Sequence, residues 1–192
     1  MKNKSVFLVF SFVMLGALLM FTNSCAPDDT NDPVTVSDQI YYEQIGNALV
    51  KCYIDIYNQN LAGKPTGTQN ITSTGPMGGT VIITGSDSYD NTHGITTTDL
   101  IFTMTNIQYF FTASSASGNT TATTQITITG AATYVGSFSD TYTSVNHQSQ
   151  NLHIVGSVTY AGTLRPVDIT GEVIINRSSK ITVSILGNTV SW

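Results

Sequence analysis

The side chains of this 192-residue chain that could carry chemistry are few: two cysteines, three histidines and 12 carboxylates. A thiolate is a nucleophile or a soft metal ligand, and imidazole and carboxylate move protons or hold cations. Asp87, Asp90 and His93 recur at three-residue steps in SDSYDNTHG. Such a set could hold a cation with help from backbone carbonyls. The same segment also reads as a polar hairpin loop, and on that reading no metal is expected. Asp168 and Glu172 lie four apart on a proposed strand, hence on one face. Two carboxylates across a cleft would suit glycoside hydrolysis; on an open strand with Arg165 nearby they make an ordinary solvated face. His147 and His153 flank the start of another proposed strand and read as solvent-facing or core-edge rings. No nucleophile elbow, HExxH helix, Cys-rich metal spacing or phosphate loop occurs. The expectation is a protein that is not an enzyme and carries no cofactor.

Cys25 belongs to a different pattern. Residues 1–4 are short and basic, residues 5–21 are almost wholly apolar, and polar Thr22, Asn23 and Ser24 precede the cysteine. A spanning helix wants about 20 apolar residues, so this run is short for one. The order of basic, apolar and small residues is that of a cleavable signal peptide. An uncleaved amino-terminal anchor is the other reading of the same run.

The stretch Phe21-Thr22-Asn23-Ser24-Cys25 resembles the lipobox of bacterial lipoproteins, in the relaxed form known from spirochaetes and some other diderm bacteria. Ser24 fits the small residue before the cysteine, while Thr22 and Asn23 depart from the usual leucine and small residue. The resemblance implies cleavage between Ser24 and Cys25 and attachment of diacylglycerol and a further acyl chain, such as palmitate, to Cys25. Each buried CH₂ contributes ~0.8 kcal/mol, so one chain holds marginally and two or more hold stably. In that family, Asp directly after the cysteine signals inner-membrane retention. Ala26 stands there instead. The resemblance therefore implies an outer-membrane lipoprotein, facing either the periplasm or the cell surface. A Cys25–Cys52 disulfide is the alternative in an oxidising compartment.

Removal of residues 1–24 takes away Lys2 and Lys4. Lys51, Lys64, Arg165, Arg177 and Lys180 then face 12 acidic residues, a net of about −7. Nucleic acid and anionic membrane surfaces both call for a basic face, which this composition excludes. The expected organisation is a signal peptide over 1–24, a lipidated cysteine and flexible acidic tether over 25–36, and one β-rich domain over 37–192.

Within that domain, Ser37 and Asp38 suit a helix start. Tyr41, Ile45, Ala48, Leu49, Cys52 and Ile56 then recur at three- and four-residue steps. A helix over 38–61 follows, stopped by Gly63 and Pro65, with Cys52 a buried thiol in its apolar stripe. Thereafter the period is two. Strands are expected over 79–85, 99–112, 121–134, 150–161, 165–175 and 180–186, with a terminal hairpin turning at Gly187-Asn188. Tyr109-Phe110-Phe111 must place rings on both faces of its strand. Gly85, Gly130, Gly156 and Gly171 each follow an isoleucine by two residues. They mark bulges, close backbone approaches, or room for the helix on the concave side. The fold class is mainly β (α+β): one N-terminal amphipathic helix on a curled antiparallel sheet of about 6–8 strands.

Two functions lead these expectations, ahead of a hydrolase using unrecognised acidic residues. The first is a membrane-tethered, non-enzymatic envelope or surface protein that interacts with other components or serves a structural role. The second is a carrier binding lipid or another apolar ligand between sheet and helix, which requires a cavity of roughly 300 Å³ or more there.

Overall fold

A computed structural model describes residues 36–114, 120–139 and 143–192. Ser24, Cys25, the leader and most of the tether lie outside the described residues. The helix α1 spans Asp38–Asn60, and its first turn is capped by the Ser37 hydroxyl, which accepts from the Ile40 amide at 3.4 Å. Its stripe of Tyr41, Ile45, Ala48, Leu49, Cys52, Tyr53 and Ile56 is buried as the spacing demands. The helix ends at Leu61, and Gly63 follows with φ 72°, a left-handed turn that glycine adopts without strain.

Eight strands follow: β1 (Gly67–Thr74), β2 (Thr80–Asp90), β3 (Ile95–Ser114), β4 (Thr121–Phe138), β5 (Thr143–Tyr160), β6 (Thr163–Arg177), β7 (Ile181–Ile185) and β8 (Asn188–Ser191). They form one antiparallel meander in chain order, open between β1 and β8. The six expected strands and the hairpin are all present, but the hairpin turns at Leu186-Gly187, one residue earlier than expected, with Asn188 opening β8. β1 was not foreseen, and β2 to β6 run longer than their apolar cores suggest. β2 takes in Ser86 to Asp90, so only residues 91–94 of the supposed loop are a turn.

The sheet wraps the helix. On one flank, Asp55 of α1 accepts a hydrogen bond from the Tyr109 hydroxyl of β3. On another, a Cβ at Gly46 would meet Val183 of β7 at 3.1 Å and Trp192 at 3.0 Å. Tyr41 at the start of the helix reaches Pro166 in β6, and Tyr57 near its end stacks on Tyr134 of β4 at 5.5 Å. Tyr53 and Phe102 meet edge to face in the middle.

Register shifts between Met104 and Ile107, Thr129 and Val135, and Ser149 and Leu152 bend successive strands along one line. The inward glycines lie against neighbouring parts of the sheet and do not make room for the helix. A Cβ on Gly156 would stand 2.0 Å from the Gln125 carbonyl oxygen, and one on Gly130 2.8 Å from that of Asn151. Both clashes are with a neighbouring strand's backbone.

Candidate functional site

The fold separates one of the three candidate metal ligands, Asp87, from the other two. Asp87 is on the inward face of β2, where Oδ1 accepts from the Gly67 amide and from Gln69 Nε2, each at 2.9 Å. It pins β1 to β2. Asp90, an odd number of residues away, faces solvent. Its Oδ1 accepts from the Thr92 amide at 2.8 Å, and Oδ2 lies 2.6 Å from His93 Nδ1. The His93 contact and then the Thr92 amide hold the Asp90 carboxyl below its usual range. Among the described residues, no three His, Cys, Asp or Glu side chains gather as a metal set.

Asp168 and Glu172 share the outer face of β6, as their spacing requires. Arg165 does not join them. It lies on the opposite face, with Nη1 at 2.6 Å from Asp38 Oδ1 and Cζ 3.9 Å above the Tyr41 ring. Asp168 instead lies 3.5 Å from Nε2 of His153, whose ring is exposed on β5.

His147 corrects the expectation of a core-edge or solvent-facing ring, for it is only 1% exposed. Its ring lies 4.7 Å from both Tyr53 and Tyr134, with the Thr133 main chain as its polar neighbour. Burial, reinforced by the Arg177 guanidinium, pushes its pKa down to about 3. The imidazole is therefore neutral, in the packed middle of the core. The signal for its inward position was parity with Val145, hidden because polar Asn146, Gln148 and Gln150 surround it.

Cys52 is a buried free thiol whose pKa is raised by burial and then by Asp55, the reverse of what a nucleophile needs. The aromatic run divides as alternation predicts. Tyr109 is buried against α1, Phe111 is half-buried on the same side, and Phe110 is 49% exposed on the outer face.

Concavities among the described residues lie elsewhere. A cleft of about 540 Å³ opens beyond the helix terminus, lined by Tyr57, Leu61, Lys64, Thr66, Tyr89 and Thr96 among others. It mixes polar and apolar groups and lies at the rim. The space between sheet and helix is filled by Leu49, Tyr53, Ile56, Phe102 and their neighbours. A smaller depression of about 280 Å³ lies on the outer face beside β3, bounded by Met77, Gln108, Phe110, Gln125 and Thr127. No family model, characterised protein or solved structure matches the chain.

Proposed function

We propose that this chain is an exported bacterial lipoprotein, held to a membrane through acyl chains on Cys25, whose β-rich domain is a non-enzymatic interaction or structural module of the cell envelope. The observation that carries the anchor is the sequence order itself: basic residues, a short apolar run, Ser24-Cys25, then an acidic tether. The dispersal of the chemistry-bearing side chains supports an interaction role over catalysis. Asp87 is committed to β1, Asp90 to its own turn, Cys52 and His147 to the core. A carrier needs an apolar chamber between the layers, and the packing of Tyr53 against Phe102 and His147 occupies that position.

The outer membrane, on either the periplasmic or the surface side, is the location this reading assigns. Mass spectrometry of the native amino terminus tests it. The expected result is a chain beginning at Cys25 with a diacylglycerol thioether and an amide-linked acyl group. A Cys25→Ser chain should leave the detergent phase for the aqueous phase. A native terminus that starts elsewhere, or a Cys25→Ser chain that partitions as the parent does, would overturn the reading.

A further inference from the structure

β3 is longer than its neighbour. β2 begins at Thr80, opposite Thr105, whereas β3 continues to Ser114, paired on its other side with β4 down to Thr121. Residues 107–114 therefore have a free flank. The β1–β2 loop covers only its beginning: the Gln108 amide donates to the Gly78 carbonyl at 3.2 Å, and the Phe110 amide to the Met77 sulfur at 3.1 Å. A thioether is a poor acceptor, so Phe110 is nominally rather than fully satisfied. Strand alternation aims the Thr112 and Ser114 amides the same way. No described residue accepts from them.

The side chains of this edge are uncharged throughout: Gln108, Tyr109, Phe110, Phe111, Thr112, Ala113 and Ser114. Proteins normally blunt an open edge with charge, proline or a covering element. Here the donors and acceptors present the repeat that only another extended backbone matches. The depression of about 280 Å³ beside Met77 and Phe110 lies against the same edge, on the outer face.

We propose that residues 110–114 are a docking edge for an extended segment of another polypeptide, which adds to β3 as a further strand. Its carbonyls replace the Met77 sulfur on the Phe110 amide and satisfy Thr112 and Ser114. One uncharged side chain on its outer face settles beside Phe110 and Met77. Main-chain bonds supply the affinity and the depression supplies the selection. A second copy of this chain, related by a two-fold about Thr112, is the other occupant, and the concentration dependence of protection tells the two apart. The inference is independent of Cys25, since it concerns the folded domain alone.

Amide hydrogen exchange on the full-length chain tests it, with the synthetic peptide TATTQITI as probe. That peptide is the chain's own segment 121–128, which pairs with this strand on its other flank. In the free protein, Thr112 and Ser114 should exchange at least about tenfold faster than Phe111 and Ala113. Saturating peptide should slow Phe110, Thr112 and Ser114 by a similar factor. Thr112→Pro removes an outward donor while leaving the β4 pairs in place, and should abolish that protection with the fold intact by circular dichroism. Thr112→Lys, which keeps the amide and adds a charge, is the second variant and should weaken it. Protection that never develops, or that survives in both variants, overturns the proposal. Protection that rises with protein concentration alone does so too, because it assigns the edge to self-association.

Discussion

β3 and β6 bound the half of the sheet nearest the start of the helix, and each extends past its shorter neighbour. Along β6, Pro166 has no amide proton to offer, and its carbonyl accepts from the Tyr41 hydroxyl at 3.0 Å. Arg165 stacks on that tyrosine, bonds Asp38 and reaches the Val36 carbonyl at 3.3 Å. The first turn of α1 thus covers this edge around Pro166 with a ring and a charge pair, and the proline itself removes one outward donor. Along β3 the same geometric problem is met by one loop, and beyond Phe110 nothing described covers the strand. Unequal strand lengths create both edges; local residue choice covers one around Pro166 and leaves the other available.

The largest disturbance should come from a position that supports both edges. Gly156 of β5 lies against Gln125 of β4, with φ 150° and no room for a methyl group. Gly156→Ala forces two central strands apart and should cost about 3 kcal/mol or more, read as a fall in denaturation midpoint. Protection should fall in β3 and β6 together. A loss below about 1 kcal/mol would mean that the strands do not approach so closely.

Tyr41→Ala separates the two edges. The ring is buried and carries both the Pro166 bond and the Arg165 contact, so its loss should cost about 3 kcal/mol. Exchange should accelerate in β6 and not at Thr112. Tyr41→Phe keeps the ring and removes only the hydroxyl bond, for about 1 kcal/mol.

Acid should act on neither edge selectively. His147 is neutral when folded, with a pKa of about 3, but takes a proton near pH 6.5 when unfolded. Between those values the unfolded chain binds more protons, so stability falls as pH drops through that window and is flat above it. At pH 5 the loss is about 2 kcal/mol. His147→Phe, which leaves no imidazole to protonate between Tyr53 and Tyr134, should flatten this part of the profile. An unchanged slope would place the acid sensitivity elsewhere.

How much of this was readable beforehand depends on where apolar residues sit. The helix was plain from Tyr41 to Ile56, and β3, β4 and β6 from their alternation. β1 was invisible because GTQNITST has a single apolar residue, Ile71, and its inward Gln69 and Ser73 stay half-buried at the rim. The first half of β5 was hidden in the same way, since its inward positions include His147 and Ser149. Asp87 looked like a loop residue because an inward carboxylate on a strand makes sense only once Gly67 and Gln69 are seen beside it. The open edge has no signature along the chain at all. It arises from a difference in length between β2 and β3, which local pattern does not record.

The smallest change tests what keeps the β6 edge shut. Pro166→Thr restores an outward amide and should alter stability by about 1 kcal/mol or less, mostly through the unfolded chain. On its own it should gain no protection from the TATTQITI peptide, because the Tyr41 hydroxyl still occupies the adjoining carbonyl. Pro166→Thr combined with Tyr41→Phe frees donor and acceptor together, and this pair is expected to show the slowed exchange that β3 shows unaided. Protection in the single variant would make the proline the whole guard. Protection in neither would leave the Arg165–Asp38 pair as the group that keeps a strand away from β6.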